Sequence, residues 1–247
     1  MRTAAIVLIG NELLSGKVAD ENAIWLIGRL RALGVQLRRV TFVADDAQAI
    51  GDELIRVTTQ VDDVFTSGGV GPTHDDITIE SVAAAFGVPV VRDAELEALV
   101  RGHFGERLRA DHLRMADVPA GSELVHGGEI RWPVVHFRNL WILPGVPQIF
   151  RAKFDGIADR FRAGAFFLRS IYLDADEGEI APLLRRVQAE HCVEIGSYPR
   201  IDRAEYRIRV TVEARAAGPV DDAVAALLDG LAVAHVVRID PAAGSAG

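Results

Sequence analysis

The chain has 247 residues, 49% hydrophobic and 25% charged, which excludes a disordered or fibrous protein and suits one large domain or a domain with a smaller companion. A net charge of −8 speaks against general nucleic-acid binding, and the single cysteine, Cys192, excludes an intrachain disulfide framework and any CxxC metal site. The apolar run near the start is too short to cross a membrane and has no cleavage site before Asn11 and Glu12, so the expectation is a cytoplasmic protein with no membrane partner.

Thr3–Gly10 is a continuous apolar run with β-branched residues and predicts a buried strand. Asp20–Gly34 places Ile24, Ile27 and Leu30 at helical spacing, with Trp25, Leu26 and Leu33 beside them, an acidic start and a closing glycine. Val35–Val43 returns to strand character, Asp46–Gln60 to helix and Asp63–Ser67 to strand. Ile77–Gly87 predicts a helix ended by Gly87 and Pro89, and Asp93–Arg109 another, before His112–Gly121 descends into a loop. Val134–Phe137 and Leu140–Leu143 flank Arg138 and Asn139 as a hairpin, and Pro147–Arg162 follows as a helix.

This alternation implies an α/β fold over residues 1–164: three layers, with a mostly parallel sheet covered on both faces. The pattern then changes. Phe166–Asp174, Val193–Pro199 and Glu205–Arg215 read as strands, and Glu177–His191 and Gly218–Ala232 as helices, giving a small α+β domain over 165–240. Tyr206, Ile208, Val210 and Val212 alternate with polar residues, so one face of that strand is buried. Cys192, beside His191, is expected to be structural and largely buried. Residues 241–247 are expected to be disordered.

In parallel sheets ligands bind beyond the carboxyl ends of the strands. Three loops fall there. Thr66–Asp76, TSGGVGPTHDD, is the richest. Ser67, Gly68, Gly69, Gly71, Pro72 and Thr73 can bring backbone amides close to an anion, with a helix start just beyond. The spacing fits neither a Walker loop nor the dinucleotide fingerprint, and a plain strand-to-helix turn would also use these glycines. Of Asp75 and Asp76, one is expected to cap the helix. Two carboxylates beside a phosphate repel it unless a cation lies between them, so the pair suggests Mg²⁺, Mn²⁺ or Co²⁺. His74 can contact phosphate, act as acid or base, or be a solvated loop residue. In the second loop, Gly10, Asn11 and Glu12 follow the first strand, and Glu12 could face Asp75 and Asp76 or be a surface charge. Asp20 and Asn22 can cap the next helix or touch ligand. In the third loop, Pro144 and Pro147 bracket Gly145, as a ligand wall or a helix start. The basic residues are almost all arginine; Lys17 and Lys153 are the two lysines. No Gly-x-Ser-x-Gly motif or nucleophile triad is present.

GNELLSGK, TSGGVGPTHDDIT and LPGVP, in this order and spacing, resemble the N-terminal module of the CinA family, whose fold is similar to the MogA/MoaB/gephyrin molybdopterin-binding fold and to the molybdopterin-binding-like domain of FAD synthases. DEGEI and IGSYP resemble the small domain that follows. The resemblance implies a ligand pocket at Ser67–Asp76, walled by Gly10–Glu12 and Pro144–Pro147, with metal-assisted phosphoryl chemistry at the Asp75-Asp76 stretch; as an enzyme, the chain is expected to use Asp75 and Asp76 as catalytic residues and, with Glu12, as metal ligands. It implies divalent-metal hydrolysis of ADP-ribose or FAD, or else molybdopterin binding without turnover; a nucleotide sensor is a third possibility. The amidase domain of longer CinA proteins is not in this chain. Relatives carry lysine or arginine in place of His74 and glutamate in place of Ile149, which cannot supply a carboxylate. A homo-oligomer, dimer or trimer, is the expected assembly.

Overall fold

The computed structural model describes residues 1–128, 131–200, 205–232, 235–240 and 243–244, in two compact units, 1–163 and 164–247. The N-terminal unit is built on a six-stranded sheet. Its strands are β1 (Thr3–Ile9), β2 (Gln36–Val43), β3 (Asp63–Ser67), β6 (Glu123–Val125), β7 (Val134–Phe137) and β8 (Leu140–Leu143), in the order β2-β1-β3-β8-β7-β6. The first four in that order run parallel; β7 pairs antiparallel with β8, and β6 antiparallel with β7. The helices are α1 (Asn11–Leu14), α2 (Asn22–Ala32), α3 (Ala47–Thr58), α4 (Thr78–Ala85), α5 (Ala94–Phe104) and α6 (Pro147–Ile157). Sequence patterning missed β6 and the short pair β4 (Val90–Arg92) and β5 (Asp117–Pro119), because three-residue strands carry too little periodicity. The segment expected to be a loop after α5 also contains a 3-10 stretch, Ala110–Ala116.

The continuous apolar run of β1 has a direct cause. Ala4, Ile6 and Leu8 enter one core with residues of α2 and α6; Ala5, Val7 and Ile9 enter a second with residues of α3 and α4. Both faces of the strand are covered, so neither set can be polar. Strand β8 divides likewise, Trp141 and Leu143 on the first side and Leu140 and Ile142 on the second. One expectation is corrected here. The buried stripe of α2 is Ala23, Leu26 and Leu30, continued by Leu33, whereas Ile24 is 73% exposed and Ile27 40%. With apolar residues nearly all round the helix, spacing alone leaves the phase of the stripe open.

The C-terminal unit has β9 (Phe167–Leu173), α7 (Glu177–Glu190), β10 (Glu194–Pro199), β11 (Ile208–Ala214), α8 (Ala217–Gly230), β12 (Val236–Ile239) and β13 (Ala243–Gly244). The sheet is antiparallel, in the order β10-β11-β9-β12, with β13 also on β9. Ile208, Val210 and Val212 are buried under the two helices, as their alternation requires. Strand β12 was not read from the sequence. Of the tail expected to be disordered, Ala243–Gly244 pairs with Leu168 and Phe167; residues 241–242 and 245–247 lie outside the described residues. Cys192 is exposed, contrary to expectation: Val193 takes the core position, and neighbours in an extended segment face opposite ways. Among the described residues, no helix is long and apolar enough to cross a membrane.

Candidate functional site

The parallel arrangement of β1, β2, β3 and β8 gathers the segments after all four strands at one edge of the sheet. Cross-bonds lock these segments together. The Asn11 amide donates to an Asp45 carboxylate oxygen at 2.8 Å, joining the loops after β1 and β2. The Gly68 amide donates to the Leu143 carbonyl at 3.2 Å, joining those after β3 and β8. A Cβ on Gly145 would sit 3.4 Å from the Gly68 Cα, so the two chains touch through glycine.

Asn22 is the central joint. It is 4% exposed. Its Nδ2 donates to Ser67 Oγ at 2.9 Å and to the Gly145 carbonyl at 2.8 Å, pinning the start of α2 to two of the loops. Its Oδ1 is buried without a partner among the described residues. Ser67 is buried too, its hydroxyl occupied by Asn22 and directed at the Pro144 carbonyl at 3.5 Å. Asn22 and Ser67 thus stand under the edge rather than on it. Asp20 accepts from the Asn22 and Ala23 amides at 3.2 and 2.9 Å, which is a capping role.

Gly68 and Gly69 need glycine. Their φ values are 105° and 66°, and a Cβ would strike the Ile9 carbonyl oxygen from Gly68 and the Thr78 hydroxyl from Gly69. Beyond them, Thr78 closes the loop base: its amide donates to the Gly69 carbonyl and its hydroxyl to the Gly68 carbonyl, both at 2.9 Å. Between these points the amides of Gly69, Val70 and Gly71 make no hydrogen bond among the described residues. Three successive open amides suit an anion. Gly68 and Thr73, expected to contribute amides as well, have theirs engaged, and Pro72 has none.

Asp76 does not cap α4. That helix starts behind Ile77 with no side-chain cap. Instead Asp76 Oδ2 accepts from the Thr73 amide at 2.9 Å and from the Thr73 hydroxyl, folding residues 73–76 into a closed turn. Competition from a nearby backbone donor inside the turn outweighs the helix end. Arg114, which sequence reasoning did not single out, clamps the turn from outside. It donates to the Thr73 carbonyl at 2.6 Å, the Asp76 carbonyl at 2.7 Å and Glu80 at 2.9 Å. The Glu80 carboxylate raises the pKa of the Arg114 guanidinium. Asp75 is exposed, and hydrogen bonding from the Thr73 hydroxyl holds its carboxyl below the ordinary aspartate range. One hydroxyl proton serves Asp75 or Asp76 at a given moment. His74 is 98% exposed, 4.0 Å from Asp75. Glu12 is exposed and its carboxylate folds back over Gly10. Among the described residues no group of three or more His, Cys, Asp or Glu side chains is placed to hold a metal, so Glu12 does not join Asp75 and Asp76 in one set.

A cavity of about 240 Å³ opens beside this loop. Val70 and Pro144 form its near wall, Trp132 and Met115 are among its apolar lining, and Lys153 enters from α6. Burial pushes the Lys153 amine down to about 8. Neither Arg114 nor Lys153 carries a local sequence signal; Arg114 sits on a 3-10 turn and Lys153 looks like any helix lysine.

Residues 5–163 match the probable molybdopterin binding domain, and residues 165–240 match the FAD synthase middle domain. A "Probable FAD synthase" of Caenorhabditis briggsae is 32% identical over an alignment of 268 residues, covering 97% of this chain and 51% of that protein. The chain therefore spans about half the length of that relative. A CinA-like protein of Myxococcus xanthus is 38% identical over 166 residues, covering 64% of this chain and 39% of that protein. The solved structure of the protein CinA from Thermoplasma acidophilum, of unknown function, is 31% identical with a TM-score of 0.59, covering 65% of this chain and 98% of that one. The chain belongs to the probable molybdopterin binding domain family, as a CinA-like member of it.

Proposed function

We propose that the protein is a metal-dependent nucleotide pyrophosphatase acting on FAD or ADP-ribose. The observation that carries this is the row of open amides at Gly69, Val70 and Gly71, fixed by glycine backbone, with the Asp76 carboxylate beside Gly71 and Asp75 next to it in sequence. Amides of this kind bind phosphate oxygens and stabilise charge that builds on them during P–O cleavage. The similarity to FAD synthases over 97% of the chain supports a flavin dinucleotide as substrate. Asp75 and Asp76 fit a magnesium-type ion, which takes one or two carboxylates and completes its shell with phosphate oxygens and water. Asp76 keeps Oδ1 for this while Oδ2 holds the turn. The ion would polarise the phosphoryl group and lower the pKa of a bound water. Arg114 and Thr73 keep the carboxylates in place; Asn22 keeps the loops together.

The test is AMP release from FAD and from ADP-ribose by the purified protein with Mg²⁺, Mn²⁺ or Co²⁺. Release that needs the metal is expected. No release from either substrate with any of the three ions would sink the activity. Molybdopterin binding without turnover is the second possibility. It is favoured by the match of residues 5–163 to the probable molybdopterin binding domain. Calorimetry with a pterin ligand, giving binding where no dinucleotide is cleaved, would select it. Assembly as a dimer or trimer is proposed alongside, and sedimentation would read it directly.

A further inference from the structure

Lys153 is costly to the fold. Its Nζ donates one hydrogen bond, to the Pro133 carbonyl at 2.7 Å, and an ammonium has two further donors. Among the described residues no carboxylate pairs with it. Asp117, the carboxylate lining the same cavity, is engaged by Arg92 at 2.8 and 3.1 Å. With no counter-charge among the described residues, burial disfavours the charged form and pushes the amine down to about 8. Methionine would fill the same space at lower cost. Packing therefore gives no reason for a lysine here, whereas an acceptor brought in by a ligand does.

The surroundings narrow the ligand. Trp132 and Met115 offer apolar, polarisable walls suited to a flat ring, and Val70, which also lines the cavity, carries one of the open amides of the loop. We propose that this cavity receives a planar fused heterocycle with carbonyl oxygens along one edge, as in a flavin or an oxopterin, and that Lys153 donates to that edge. The placement of the ring rests on the loop holding the phosphates of the same molecule. Adenine fits less well, since it has no carbonyl and its exocyclic amine is itself a donor. Lys153 thus sets specificity for the ring and leaves phosphate binding to the loop.

The probes are riboflavin and xanthopterin, which carry the two rings without phosphate, and ADP-ribose as the adenine control. Binding to the full chain and to Lys153→Met is followed by calorimetry. At least a tenfold rise in the dissociation constant of the preferred ring is expected, with ADP-ribose changed less than twofold; the tighter ring names the source. A second measurement needs no variant. Lys17 is exposed and is the other lysine of the chain. A bound ring should slow acetylation of Lys153 relative to Lys17, read by mass spectrometry. Failure of both rings to bind at millimolar concentration, equal binding by Lys153→Met, or unprotected Lys153 would overturn the proposal. The probes need no turnover. Loss of the pyrophosphatase activity alone leaves ring binding standing, and loss of ring binding with FAD cleavage intact does the reverse.

Discussion

The loop after β3 and the cavity beside it share Val70, yet they solve opposite problems. In the loop, polar groups are plentiful and mostly pair with one another: Asp76 with Thr73, Arg114 with two carbonyls and Glu80, Thr78 with Gly68 and Gly69. Only a short row of amides is left open. In the cavity, polar groups are few, and Lys153 has no ionic partner among the described residues. The first arrangement stabilises itself and still presents a surface for anions. The second is maintained against the stability of the fold. Self-satisfied polar networks can thus be structural or functional, whereas a group that destabilises its own site calls for a ligand.

Substitutions should separate the two regions. The largest effect is expected for Asp76→Asn. Asparagine can keep an oxygen on the Thr73 amide, so the turn and the melting temperature should hold, while pyrophosphatase activity falls about 100-fold or more. Undiminished activity would show that the carboxylate charge has no part in the reaction. Gly68→Ala should destabilise the N-terminal unit by about 3 kcal/mol in urea unfolding, through positive φ and collision with the Ile9 carbonyl. A neutral result would mean that the loop backbone relaxes freely.

Lys153→Met should act in the other direction. Its folded pKa is lowered, from the ordinary 10.5 to about 8, so the folded state binds fewer protons than the unfolded chain between those values. The penalty for burying the charge is complete below pH 8 and is relieved as pH rises toward 10.5. The variant should therefore be more stable than the wild type by about 2 kcal/mol at pH 7, after allowing for the lost Pro133 bond, with the advantage shrinking at higher pH. His103, Arg114 and Asp117 face the same cavity and are unchanged in this comparison. A wild type more stable than the variant at pH 7 would refute the cost assigned to Lys153. Asn22→Ala should cost a little less, about 1–2 kcal/mol, by leaving the Gly145 carbonyl unpaired. Smallest is Arg114→Met, expected to raise KM severalfold by loosening the Thr73–Asp76 turn while leaving the fold stable. A fall in kcat with KM unchanged would move Arg114 from holding the turn to the reaction itself.

Much of the fold was legible because strands and helices leave local periods of two and 3.6 residues. Asp63–Ser67 and the Val134–Phe137, Leu140–Leu143 hairpin match the sequence reading to the residue. The loop glycines were legible too, since positive φ restricts residue type at the position itself. The buried face of α2 was not, because its apolar residues run round the helix and only the sheet selects among them. Nor were the cap expected of Asp75 or Asp76, which the Thr73 turn displaced, and the burial expected of Cys192.

By itself, then, the sequence determined the alternating α/β unit, the small α+β unit that follows it and the glycines of the loop after β3, all of which depend on residues near one another along the chain. Tertiary structure alone decided that β8 lies beside β3, bringing Gly145 to Gly68 across 77 positions of chain. It also decided that Asn22 joins Ser67 and Gly145, that Arg114 reaches back to Thr73, and that Lys153 stands at a cavity next to Val70. These contacts link distant segments through packing and hydrogen bonding, and neither leaves a period or a spacing in the sequence to be read.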